Sequence, residues 1–197
     1  MKASPELHIK NMVCDRCIKS VREELEKLGL TIKDIALGKV VLQKPADAAQ
    51  LEKISQVLKE EGFELLDDKR AQLVEAIKNL VIEAVHYGDL SEQKENFSGY
   101  IAQRLHRDYN YLSNLFSEAE NTTIEQFIIH QKIEKVKELL VYDELSLSQI
   151  AFQMGYSSTA HLSGQFKKIT GFTPTQFKQL KEHRRKPLDK IMKKEEL

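Results

Sequence analysis

Between Leu145 and Pro174 the alternation of apolar, small and capping residues predicts two short helices joined by a tight turn. Ser146 with Gln149 three residues later is a capping-box pattern, and Leu145 and Ile150 stand at the hydrophobic-staple positions around it. Ala151 is small enough for a second helix to cross close by, and Gly155 can take the positive φ of an interhelical turn. Ser157 or Ser158 then caps a second helix whose inward stripe is Leu162, Phe166 and Ile169. At about a hundred degrees per residue, Ala160, Gly164 and Lys167 point outward, with His161, Ser163 and Lys168 beside them and Thr159 in the first turn. Gly171 is placed to end this helix, and Thr173-Pro174 with Gln176 opens another.

The same pattern recurs about fifty residues earlier. Leu112, Ser113, Phe116 and Thr123 correspond to Leu162, Ser163, Phe166 and Thr173, while Ile101-Ala102 mirrors Ile150-Ala151. With Asp108 as N-cap, residues 97–123 are expected to form a first helix-turn-helix whose outward positions include Asn110, Ser113, Asn114 and Ser117. A helix from Ile124 to about Tyr142 joins the two motifs and spans about 28 Å. That length suits two recognition helices entering successive major grooves, roughly 34 Å apart, on one face of DNA.

Residues 6–66 show a different rhythm: strand, helix, two strands, helix, strand. Leu7 and Ile9 alternate with polar neighbours, and Val21, Leu25 and Leu28 line a helix from about Asp15 to Leu28. Thr31–Leu37 and Lys39–Leu42 are two strands joined at Gly38, Pro45-Ala46-Asp47 opens a helix lined by Leu51, Ile54, Val57 and Leu58, and Gly62 stops it before Phe63-Glu64-Leu65. That order predicts a ferredoxin-like βαββαβ domain, so the fold class is α+β with an all-α double helix-turn-helix following. The charged break Asp67-Asp68-Lys69-Arg70 divides the chain into residues 1–70 and 71–197. From Ala71 to about Tyr87 a helix carries two apolar stripes, Leu73, Ile77, Leu80 and Ala84 beside Val74, Val81 and Val85, which suits a core helix or a dimer contact; Gly88–Ser98 then reads as a loop.

Composition alters this picture in three places. The 197 residues are 41% hydrophobic, enough for real cores, but 30 basic and 30 acidic residues leave no net charge, so only the distribution speaks about partners. Leu145–Lys194 holds ten Lys or Arg against Glu182 and Asp189, while Gly99–Glu144 holds five basic and eight acidic residues, so the positive field surrounds the second motif and the tail. Lys167, Lys168, Lys181, Arg184, Arg185 and Lys186 are the candidates for phosphate attraction. No signal peptide or run of about 18 apolar residues is seen, so a cytoplasmic location without a membrane association is expected. No Ser/His/Asp set, phosphate loop or paired acid motif argues for an enzyme.

The two cysteines stand at Cys14 and Cys17, between a predicted strand and a predicted helix, where backbone amides favour thiolate. Two soft thiolates suit copper(I), or zinc if further ligands complete a tetrahedron; a redox dithiol and a pair retained for packing are the alternatives. The scattered histidines, His8, His86, His106, His130, His161 and His183, form no ligand pair.

Ile150-Ala151, Gly155-Tyr156, Phe166-Lys167 and Gly171-Phe172-Thr173-Pro174 resemble the second helix-turn-helix of AraC-type transcription regulators, and the resemblance covers about residues 72–181. His106 and Asn121 stand where that family often has glycine, and Lys132 where its linker helix usually has arginine. Met12-x-Cys14-x-x-Cys17, with its strand and helix order, resembles the heavy-metal-associated domain, although Asn11 replaces the usual glycine. Together these resemblances imply a sequence-specific transcription regulator that binds double-stranded DNA, with an N-terminal module responsive to a soft metal ion; the second apolar stripe of residues 71–87, or the N-terminal domain, makes a second copy of the chain a candidate partner. The rival expectation is a metal carrier or partner-binding protein whose helical half has lost specific DNA reading, since Ala160 and Gly164 offer little to a base edge.

Overall fold

A strand that begins after Pro5 opens the computed structural model, which describes residues 5–91 and 95–180. The chain divides into two compact units, Met1–Asn79 and the residues from Leu80 onward.

In the first unit the elements run β1 (Glu6–Lys10), α1 (Asp15–Lys27), β2 (Ile32–Ala36), β3 (Lys39–Leu42), α2 (Ala48–Glu60) and β4 (Glu64–Leu66). The strands form one sheet in the order β2-β3-β1-β4, with every neighbouring pair antiparallel and Leu7 opposite Val40. The period-two alternation of β1 sends Leu7 and Ile9 into the core and leaves His8 on the other face. Val21 and Leu25 of α1 and Ile54 and Leu58 of α2 meet them there, with Met12 and Phe63 closing the ends. The Asp47 carboxylate accepts from Gln50 N–H, and the Gln50 side chain returns the bond to the Asp47 amide, so the expected α2 start is a full capping box.

Helix α3 (Lys69–Ile82) starts two residues before the expected Ala71, because Asp68 in the charged break caps it by accepting the Ala71 N–H at 2.8 Å. Its residues as far as Asn79 belong to the sheet unit: Asn79 packs so closely on Gly38 that any Cβ there would collide with the Asn79 amide, and Gly38 holds φ +73°. The end of the helix also departs from expectation. Glu83–Tyr87 widens into a π-helical turn that buries Val85 and places His86 Nε2 2.9 Å from Gln131 Oε1. Val74, Ile77, Val81 and Ile82 are all buried.

The second unit continues with α4 (Phe97–Leu105), α5 (Tyr109–Glu120), α6 (Ile124–Tyr142), α7 (Leu147–Gln153), α8 (Thr159–Thr170) and α9 (Pro174–Gln179). Helix α6 is its axis and packs against the π-helical turn and against α5, α7, α8 and α9. Ile124, Phe127, Ile133, Val136 and Leu140 supply its apolar contacts, and the rings of Phe127 and Phe116 lie 5.6 Å apart. Among the described residues no helix is long and apolar enough to cross a membrane. The tail residues Lys181, Arg184, Arg185 and Lys186, together with His183, lie outside the described residues.

Candidate nucleic-acid interface

Two helix-turn-helix units are built by the same local rules. In the first, the Asn96 side chain caps α4 by accepting the Gly99 N–H, and Asp108 caps α5 by accepting the Tyr111 N–H at 3.0 Å. In the second, Ser146 and Gln149 form the expected capping box of α7 and Ser158, rather than Ser157, caps α8. Gly155 turns the chain between them at φ +66°. Thr173 and Gln176 box the start of α9, with Pro174 in its first turn.

Burial then sorts the faces. Leu112, Leu115 and Phe116 of α5 and Leu162 and Phe166 of α8 point inward, with Ile169 half-buried. Asn110 and Asn114 are exposed on α5, and Ser113 and Ser117 flank them half-buried. On α8, Ala160, His161, Gly164, Lys167 and Lys168 are exposed, while Thr159 and Ser163 are half-buried. A Cβ at Gly164 would meet nothing within 4 Å, so the outer face of α8 is flat and open at its centre.

His161 is fixed rather than free: its Nδ1 lies 3.1 Å from Ser157 Oγ and its ring stands edge-on to Tyr156 at 5.3 Å. The Tyr156 hydroxyl donates to Gln165 Oε1 at 2.7 Å, and burial pushes its phenol far up. The Tyr109 hydroxyl donates to Glu125 Oε1, tying α5 to the first turn of α6, and that bond holds the Glu125 carboxyl below its ordinary value. Sequence reasoning passed over Tyr111, which is 48% exposed on α5 beside Asn110 and Asn114. Its signal was present in the internal repeat, which aligns Tyr111 with His161.

Comparison with known proteins bears on this half of the chain. Residues 101–180 match the family model described as a helix-turn-helix domain. The chain is 24% identical over 84% of its length to an uncharacterised HTH-type transcriptional regulator, YtdP, of Bacillus subtilis (strain 168), of which it spans 22%. It is 28% identical over 43% of its length to the melibiose operon regulatory protein of Escherichia coli (strain K12), spanning 28% of that protein. A regulator encoded in the cgkA 5' region of Pseudoalteromonas carrageenovora is 31% identical over 50% of this chain and spanned to 55%. The second unit contains an AraC-type helix-turn-helix domain. Among solved structures, the C-terminal domain of AraT, a response regulator from Geobacillus stearothermophilus, shares 22% identity with a TM-score of 0.49, over 57% of this chain and 88% of that one. The chain thus spans about half or less of the curated relatives named here, and these are described as regulators rather than enzymes.

Within the AraC-type domain, His106 and Asn121 keep the left-handed backbone at φ +51° and +53°, so each turn is made without the glycine often seen in the family. Lys132 has a defined task. Its Nζ donates to the Met154 carbonyl at the end of α7 at 2.9 Å and lies 5.3 Å and 5.8 Å from the ring centres of Tyr156 and Phe97. One ammonium therefore joins the linker helix to both helix-turn-helix motifs, and burial pushes its pKa down.

The match at residues 101–180 does not reach the cysteine-bearing unit. There Cys14 opens α1 as its N-cap, with no cap bond from its side chain, and the sulfurs of Cys14 and Cys17 lie 3.2 Å apart. The expectation that the helix start favours thiolate fails at Cys17: burial and the hydrogen bond with Cys14 push that thiol up, outweighing the backbone bonds that pull it down. Among the described residues no three His, Cys, Asp or Glu side chains group as a metal site.

Proposed function

We propose that the protein is a cytoplasmic transcription regulator that reads a specific sequence in double-stranded DNA through α5 and α8 and whose N-terminal unit makes that reading responsive to a soft metal ion. The observation that carries the DNA reading is the pairing of two capped helices, each with a buried apolar stripe and an outward face of short polar or small residues. Asn110 and Asn114 can each offer a paired donor and acceptor to adenine, a contact of about 1–3 kcal/mol, whereas Ala160 and Gly164 allow thymine-methyl or close backbone approach. Lys167 and Lys168 add sequence-independent attraction to phosphate.

The βαββαβ order and the strand order β2-β3-β1-β4 support a ferredoxin-like reading of the N-terminal unit. Cys14 and Cys17 would hold the ion as thiolates, releasing their protons on binding. The rival reading, a metal carrier or partner-binding protein, draws on the bare centre of α8.

Selection of bound sequences from random duplexes with the full chain separates the two. A regulator returns a consensus, and Asn114→Ala relaxes that consensus at one position while Lys167→Gln weakens all sequences alike and flattens the salt slope. Retention of no consensus at any salt concentration would favour the rival.

A further inference from the structure

The loop that carries the cysteines begins at a left-handed residue. Asn11 sits at φ +70°, a left-handed conformation that asparagine adopts more readily than other residues with a Cβ. Two hydrogen bonds hold it there: its side-chain Nδ2 donates to the Gly62 carbonyl at 3.1 Å, and its backbone N–H donates to Glu75 Oε1 at 2.9 Å. Glu75 belongs to α3 and is only 5% exposed, and its other carboxylate oxygen lies 3.5 Å from Lys78 Nζ. A buried carboxylate on α3 is therefore the acceptor for the residue that starts the Met12-Val13-Cys14 approach to the sulfurs.

The separation of those sulfurs turns this bond into a lever. At 3.2 Å they are closer than the roughly 3.8 Å that two ligands of a tetrahedral ion with bonds of about 2.3 Å must keep, and a two-coordinate ion spreads its ligands further. Ion uptake must move the two sulfurs apart. The loop is anchored at its first residue to Glu75, and α3 runs without interruption from Lys69 to Ile82.

We propose that Glu75 couples the state of the Cys14–Cys17 loop to helix α3, so that opening the loop for a soft ion weakens the Asn11–Glu75 bond and loosens the first turns of that helix. Glu75 acts here as a positioning residue, through Asn11, and the proposal rests on the metal-responsive reading above. Binding at the sulfurs can influence the helix only by a difference in free energy between the two loop states, and this bond is where the difference is registered.

Silver(I), a soft ion that does not change oxidation state, is the probe. The reduced full-length chain is titrated with it, occupancy is read by native mass spectrometry, and hydrogen exchange is followed at Asn11 and across residues 69–82. Wild type should bind one ion and the Cys14→Ser, Cys17→Ser double variant none. In wild type, exchange at the Asn11 amide and in the first turns of α3 should rise by about fivefold or more on binding, the lower end of ordinary coupling. Glu75→Gln keeps an acceptor and should keep the response; Glu75→Asp keeps a charge for Lys78 but draws the acceptor back by one methylene, and should bind silver without the response. Silver bound at the cysteines with exchange at Asn11 unchanged in wild type overturns the coupling while leaving the metal reading intact, as does a full response in Glu75→Asp. Absence of silver at the cysteines removes the reading and the coupling together.

Discussion

Replacing Lys132 by methionine keeps most of the aliphatic stem and deletes the ammonium, which isolates what that group contributes. In the structure it supplies a charged donor to the otherwise uncapped Met154 carbonyl at 2.9 Å and stands over the rings of Tyr156 and Phe97. A hydrogen bond to a charged group contributes about 1.5–3 kcal/mol, and each cation–π contact about 0.5–1 kcal/mol or more where water is partly excluded. Against this stands the desolvation of the ammonium, visible in its lowered pKa, which methionine relieves. The net loss is expected to be about 2 kcal/mol, which for a helical unit of roughly a hundred residues lowers its melting temperature by about 8–16 °C. Hydrogen exchange in the full chain locates the effect: peptides covering α7 and α8 should lose protection first, since Met154 and Tyr156 belong to that turn. Lys132→Arg should retain most of the stability, as a second cation able to donate there. A Lys132→Met chain that melts with wild type, or loses protection in α5 before α7, would refute the bridge.

The other expectations concern single positions. His106→Gly should stabilise the helical unit by about 0.5–1 kcal/mol, measured by denaturant unfolding, because relief of the left-handed strain at φ +51° exceeds the entropy that glycine adds to the unfolded chain. Gly164→Ala should also stabilise, by about 0.5–1 kcal/mol, since its Cβ meets nothing within 4 Å; if DNA affinity falls while stability rises, the bare centre of α8 is a place of close approach to DNA, and unchanged affinity would count against that role. His8 has its pKa lowered, first by burial and then by Lys39, so the neutral ring contributes stability that is fully present above about pH 6.5 and is lost as the pH falls through the depressed folded value. Stability of the N-terminal unit followed from pH 8 downward should show this loss, and His8→Gln should remove it.

The elements were legible where local chemistry and periodicity agreed. The capping boxes at Ser146 and Thr173, the left-handed glycine at Gly155 and the inward stripe of Leu162 and Phe166 all depend on neighbours within a few residues in sequence, and they stand as the pattern predicts. The outward faces of α5 and α8 followed from the same periodicity, although the exposed Tyr111 beside Asn110 and Asn114 was passed over. The widening of α3 into a π-helical turn left no local mark, since the burial of Val85 and the pairing of His86 with Gln131 depend on a helix 45 residues away.

By itself, then, the sequence determined the helices of the AraC-type domain, their order, their caps and which face of each is apolar, because those follow from backbone geometry and from side chains close along the chain. Only the tertiary structure decided which partners the polar groups take. Lys132 could have been one more solvated cation on a helix, and Glu75 one more exposed acid; their burial and the distant carbonyl and amide they meet, Met154 O and Asn11 N, give each its role. The physical reason is that a buried charge must find its hydrogen-bond partner wherever packing has brought one, and sequence separation places no limit on that search.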